Sequence, residues 1–404
     1  KLIAPNELAL ALAARAKANP EIRVLISGDR DARHGDVIRG LAKSWNAGIE
    51  PWTLVEKDGR YYGRGTADNK GQHTINLAAL DAVLKARGSL GFNAKWLIEM
   101  GEETGSRGLR EVCETNKPLL KADVFIASDG PRLSAERPTV FLGSRGCAAI
   151  DMWIDAREGG HHSGNWGGLL SSPAIQLVHA LSTITDAKGC ILVPELRPDR
   201  ISNSVRAALA DCKIETAPGD PEIDPAWGEP GLSLAEKVFG WCAFEILAMT
   251  SGVPESPVNA IPPRAWARTQ VRFVVGVDPK GFVPALRRHL DKHGFPMVQV
   301  ASAPGDEIMH ATRLDPDHPW VKWSVASIAK TTGAPPAILP NLGGSLPNDI
   351  FADVLGLPTV WVPHSYPGCS QHAPNEHLPK ALAREALQIM AGLYWDLGEP
   401  GTPR

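Results

Sequence analysis

The chain has 404 residues, 43% of them hydrophobic, and a formal net charge of -3 at pH 7. This length and composition allow a large buried core and predict two domains. The charge balance gives no broad basic field and so argues against a nucleic-acid partner. No apolar run reaches the roughly 18 residues that a membrane span needs. Asn6, Glu7 and Arg15 interrupt the opening residues, so 1–18 do not read as a signal peptide and the cytoplasm is the expected location. Cys113, Cys147, Cys190, Cys212, Cys242 and Cys369 are scattered without a Cys-x-x-Cys pair, which predicts reduced thiols rather than a disulfide framework or a thiolate zinc site.

In chain order, Arg23-Val24-Leu25-Ile26-Ser27 reads as a buried strand of a mainly parallel sheet, and His34-Gly35-Asp36 follows it. The run Tyr62-Gly63-Arg64-Gly65-Thr66-Ala67-Asp68-Asn69-Lys70-Gly71 precedes a helix over 73–86, where Ile75, Leu77, Leu80, Val83 and Leu84 recur at helical spacing. Lys95 to Met100 is a second strand, leading to Gly101-Glu102-Glu103-Thr104-Gly105-Ser106. A third, Asp123 to Ser128, ends at Asp129-Gly130. Short apolar runs alternating with helical patterns predict an α/β fold. In such sheets, ligands gather at the carboxyl ends of the strands, which is where these acidic residues fall.

The pattern changes after Gly146. Residues 148–155 and 267–275 alternate like half-buried antiparallel strands, with helical patterns at 172–181 and 279–293. We therefore expect an inserted α+β domain over 146–311, with 1–145 and 312–404 forming the first domain. The first fold resumes near Trp320, and strand Thr359-Val360-Trp361-Val362 leads to His372-Ala373-Pro374-Asn375-Glu376. There are no internal repeats, and the Pro-rich stretch 217–230 reads as a surface connection.

Each acidic or histidine stretch alone is ambiguous. His-Gly-Asp is commonly a turn, Glu102-Glu103 a solvated pair, and Asp129 a turn former before Gly130. The glycines around Arg64 make no dinucleotide fingerprint, since Asp68 stands where the third glycine belongs. Taken together, the stretches at 34–36, 62–71, 101–106, 128–130 and 372–376 resemble the co-catalytic metallopeptidase pattern of peptidase family M20. That group includes carnosinase-like dipeptidases and acetylornithine or succinyl-diaminopimelate deacylases.

The resemblance implies two divalent metal ions, zinc in the first instance with manganese or cobalt as alternatives. Two such ions provide an activated water and Lewis acids for amide hydrolysis, held by imidazole and carboxylate donors. By this match Asp68 would bridge both ions, His34 and Asp129 would complete one site, and Glu103 and His372 the other. Glu102 resembles the general base. Asp36 resembles the carboxylate that orients the imidazole of His34. A second alignment, placing Asp29 and Asp31 at the His-x-Asp positions, stays open. The family also implies a cis peptide at Asp68-Asn69, and an inserted domain acting as lid and homodimer contact. Gly160-His161-His162-Ser163-Gly164 resembles its His-Ser-Gly element, in which His162 would stabilise the oxyanion in the partner subunit's site. Asn259, Arg272 and the turn Gly343-Gly344-Ser345 match positions that hold the substrate carboxylate or the oxyanion region.

Three functions follow from this reading. The first is hydrolysis of a dipeptide or similarly small peptide. The second is N-acyl-amino-acid deacylation by the same metals. The third, a non-catalytic binding protein of the same fold, is opposed by the intact Glu102-Glu103 pair. Neither a Gly-x-Ser-x-Gly elbow nor a His-Glu-x-x-His helix is present. Among the other histidines, His73, His179, His289, His293 and His377 read as surface or helix residues, and His310, His318 and His364 stay open.

Overall fold

A computed structural model describes residues 51–214, 222–305 and 308–403, together with the backbone of 23–26. The chain divides into two compact units. One takes the described residues up to Val140 with Asp317–Ala337 and Ile350–Arg404; the other takes Phe141–Pro316 with Ile338–Asp349. The segment Ile338–Asp349 lies outside the expected 146–311 insertion but belongs to the second unit. The reason is local: Asn341 Nδ2 donates to the carbonyls of Ser144 at 3.3 Å and Thr312 at 2.7 Å. The Leu342 backbone is tied to Gly143 and Arg145 on either side.

In the first unit, Arg23–Ile26 pairs in parallel with Lys95–Ile98, and Phe125–Ala127 in parallel with Thr359–Trp361. A further antiparallel sheet orders His377–Pro379, Arg60–Tyr62 and Val55–Lys57. The helix Lys70–Arg87 buries Gln72, Ile75, Asn76, Ala79 and Val83, one stripe at three-to-four spacing, and ends at left-handed Gly88. It packs against the long helix Lys380–Leu397. At its start, Gly71 is required because a Cβ there would lie 1.9 Å from the Thr66 carbonyl oxygen. That close approach folds the Gly63–Asn69 loop back over the helix end.

The second unit contains a sheet ordered Gln299–Ser302, Gly146–Asp155, Arg264–Phe273 and Ala243–Thr250, with every pairing antiparallel. Arg264–Phe273 alternates buried and half-buried residues along its length, as a strand covered on one face should. The helices Pro173–Leu181 and Phe282–Lys292 supply that cover. Leu177, Leu181, Phe282, Leu286 and Leu290 join Ile150, Met152, Val271 and Phe273 in one core. Parallel strand pairs in one unit and an antiparallel α+β layer in the other agree with the expected fold class. Among the described residues no helix is long and apolar enough to cross a membrane.

Candidate metal centre

The strand Arg60–Tyr62 runs into a loop folded around one carboxylate. Glu376 Oε1 accepts from the backbone N–H groups of Gly65, Ala67 and Asp68, each at 3.0 Å. Its Oε2 accepts from Arg64 Nη1 at 2.7 Å, and its side chain is fully buried. A buried charge needs this density of donors to offset its lost hydration. The Asp68-Asn69 peptide that closes the loop is cis, as the resemblance implies.

Two other segments arrive at Asp68. Past strand Lys95–Ile98, the short turn Glu102–Thr104 presents Glu103. Before strand His377–Pro379, a loop presents His372 with φ at +56°, a left-handed conformation uncommon for a non-glycine residue. His372 Nε2 lies 2.6 Å from Asp68 Oδ2 and 2.9 Å from Glu103 Oε1. Arg64 Nη2 donates to that same Glu103 oxygen at 3.3 Å. One ligand atom from each of Asp68, Glu103 and His372 lies within 4.8 Å of the others. Asp129 is not in this trio; its Oδ1 accepts from the Gly130 N–H at 2.6 Å.

The electrostatics are those of crowded acids. Glu102 is pushed up to about 8 by burial first and then by Asp129, Glu103, Asp68 and Glu99. Asp129 is pushed up to about 7 by burial and Asp68, partly opposed by the Gly130 N–H and Asn69. His372 is raised to about 10 by its contacts with Asp68 and Glu103. Protein charges alone thus leave a surplus of negative charge that protons relieve, and a divalent cation relieves it better by displacing them. Asn69 Oδ1 is buried with no hydrogen-bond partner among the described residues. One imidazole among carboxylates, in a surplus of negative charge, fits a divalent cation of the zinc, manganese or cobalt kind.

His34 and Asp36, and the alternative Asp29 and Asp31, lie outside the described residues. In the second unit His162 is exposed, and its Nδ1 accepts from the Gly164 N–H at 3.1 Å. Asn259 is exposed, and its backbone carbonyl accepts from the Ser163 N–H at 2.9 Å. Arg272 Nη1 donates to Ser345 Oγ at 2.8 Å, so two of the candidate substrate-binding residues meet. Arg145 Nε donates to the Gly343 carbonyl at 2.8 Å, and its guanidinium is lowered to about 10 by burial and by Arg272. Gly344 is exposed in the same turn.

Sequence patterns assign no role to Glu376 or Arg64, although both stand inside the motifs that resemble the family. The signal open to a reader of the sequence is an acid and a base in two of the five motifs with no metal assigned to either. His377 is corrected: it is a buried strand residue, its ring tilted 40° to that of Tyr62 with centroids 5.2 Å apart, and its Nδ1 is 2.9 Å from the Asn375 carbonyl oxygen. His364 is fully buried, with Nε2 3.0 Å from Ser128 Oγ. His318 caps the helix Pro319–Thr332 by accepting from the Trp320 N–H.

Residues 32–396 match the family described as Peptidase family M20/M25/M40. The human Beta-Ala-His dipeptidase is 23% identical over 367 residues, covering 87% of this chain and 71% of that protein. The Cys-Gly metallodipeptidase DUG1 of Saccharomyces cerevisiae is 24% identical over 379 residues, covering 88% and 75%. Among solved structures, the M20 family metallo-carboxypeptidase Sso-CP2 from Sulfolobus solfataricus superposes with a TM-score of 0.74 at 23% identity, covering 93% of this chain and 84% of that one. At that identity the superposition establishes a common fold.

Proposed function

The chain belongs to peptidase family M20/M25/M40 and is a metallohydrolase of that family, and on that premise we propose that it hydrolyses the amide bond of a dipeptide or similarly small peptide. The observation that carries this reading is the convergence of Asp68, Glu103 and His372, with Glu102 adjacent in sequence to one of them. The dipeptidase relatives, matched over most of both chains, supply the substrate class.

In this reading Asp68, Glu103, His372 and Asp129, with His34 as the remaining ligand and Asp36 orienting it, would hold two divalent ions. When bound, these supply a water of lowered pKa and polarise the scissile carbonyl. Glu102 takes the proton from the attacking water and returns it to the leaving nitrogen as the carbon–nitrogen bond breaks. Burial first, and then the neighbouring carboxylates, raise it to about 8. Cations held by those neighbours would offset their contribution and lower it from there, while burial keeps it above the ordinary carboxylate range.

Arg272 and Ser345 present a guanidinium and a hydroxyl, donors suited to a substrate carboxylate, and we assign that role to them with the Gly343-Gly344 turn and Asn259. His162 would supply an oxyanion donor across a homodimer formed through the second unit; its exposure is compatible with that role.

The test is hydrolysis of matched free-amine dipeptides and N-acetyl or N-succinyl amino acids by zinc-loaded protein, beside a chelated control. Chelator-sensitive cleavage of the dipeptides is expected. Cleavage of only the acyl substrates would replace the proposal with a deacylase, and cleavage of neither would refute both.

A further inference from the structure

Glu376 joins more of this centre than any of its proposed ligands does. Its Oε1 gathers the N–H groups of Gly65, Ala67 and Asp68, its Oε2 takes Arg64 Nη1, and its own carbonyl accepts from the Gly63 N–H at 3.1 Å. It also stands four positions after His372, in the loop that delivers that imidazole. Arg64 then carries the connection to the third segment through Nη2 and Glu103 Oε1. The three stretches that supply Asp68, Glu103 and His372 therefore meet at a single ion pair.

Loop folding alone does not require this arrangement. A buried acceptor holding three N–H groups would shape the Gly65–Asp68 backbone without help from an arginine. What the arginine adds is a rigid planar fork with one arm on a buried carboxylate and the other on a proposed metal ligand. A fork held at one end fixes the position of the group bonded at the other. It also places positive charge against Glu103 and so moderates the repulsion among the acids. Lysine has the same charge but only a point-like ammonium on a flexible stem, and it cannot present two fixed, divergent donors.

We propose that Arg64 and Glu376 form a positioning clamp that sets the metal affinity of the centre by fixing Asp68, Glu103 and His372 relative to one another. Neither residue is a ligand. The clamp acts through the residues it holds, as outer partners of metal ligands do, and loss of such partners costs about 10–100-fold in affinity. The inference rests on the metal-centre reading above.

The test measures zinc affinity in the full chain by competition with a chromophoric chelator, and the visible absorption of the cobalt-substituted protein, which reports ligand geometry. Arg64→Lys keeps Glu376 paired with a cation but removes the second arm. Arg64→Met combined with Glu376→Gln removes both charges and leaves no buried carboxylate unpaired. Melting temperature is followed alongside. In both variants the zinc Kd is expected to rise by about 10–100-fold, with a changed cobalt spectrum and a retained cooperative transition. Should the double variant fail to fold, Arg64→Lys decides the matter alone. Unchanged zinc affinity and an unchanged cobalt spectrum in a folded variant would overturn the clamp while leaving the metal centre standing. No metal uptake by the unaltered protein would overturn both.

Discussion

Asn69 Nδ2 donates to the Ser128 carbonyl at 2.9 Å, so the residue after Asp68 holds the residue before Asp129. The link continues inward. Ser128 Oγ lies 3.3 Å from Asn76 Oδ1 on the helix Lys70–Arg87 and 3.0 Å from His364 Nε2. The His364 N–H in turn donates to Gln72 Oε1 at 2.7 Å, and Gln72 Nε2 to the Ala67 carbonyl at 2.9 Å. Two carboxylate segments far apart in sequence are thus held by a buried polar network whose members fix one another's orientation. Pre-organisation of this kind lets charged groups stay crowded before any cation arrives.

Asp68→Ala should release metal. Asp68 is the proposed bridging ligand and one of the trio within reach of a shared ion, so its loss removes a donor from both positions. Metal content after dialysis, read by atomic absorption, is expected to fall below one ion per chain. Two retained ions would refute the bridging role.

Glu102→Gln should keep metal and lose turnover. The amide preserves shape but cannot accept the water's proton, and general-base removal costs roughly 10²–10⁴-fold. The expected result is unchanged metal content with kcat reduced by about that factor. Normal kcat would end the assignment.

Arg272→Met should separate substrates by their carboxylates. Charge-assisted hydrogen bonds contribute roughly 1.5–3 kcal/mol, or about 10–100-fold in kcat/KM. The loss is expected for dipeptides with a free carboxylate, mainly through KM, and not for their C-terminal amides. Equal losses on both would remove Arg272 from carboxylate recognition.

Acid should destabilise the first unit through His364. Burial, then the nearby Arg132 charge, hold its folded-state pKa down at about 3, against an ordinary value of 6.5. Between those values the unfolded chain binds the extra proton, so stability falls as pH drops from about 6.5 toward 3. The loss is on the order of a few kcal/mol. In His364→Asn the difference between urea midpoints at pH 7.5 and pH 5 should shrink relative to the unaltered chain. An unchanged difference would place the acid sensitivity elsewhere.

Several features are legible in the amino-acid sequence alone. Ile75 and Val83 mark the helix after Asp68, and alternation along 148–155 and 267–275 marks the antiparallel strands; the structure sets these elements at Lys70–Arg87, Gly146–Asp155 and Arg264–Phe273. Such patterns survive in one dimension because each element buries one face with its own fixed period. Acidic residues at the ends of apolar runs mark where a site would form, and Asp68, Glu103 and His372 do meet.

By itself the sequence determined which residue types were available for metal chemistry, the class of fold, and the family. Only the tertiary structure decided that Glu376 is a buried anchor, that Arg64 has one arm on it and the other on Glu103, and that Arg272 meets Ser345. It also moved His377 into the interior and Ile338–Asp349 into the second unit. The reason is physical. Periodicity reports burial along a single element, whereas an ion pair between residues 312 positions apart follows from how separate loops close on one another.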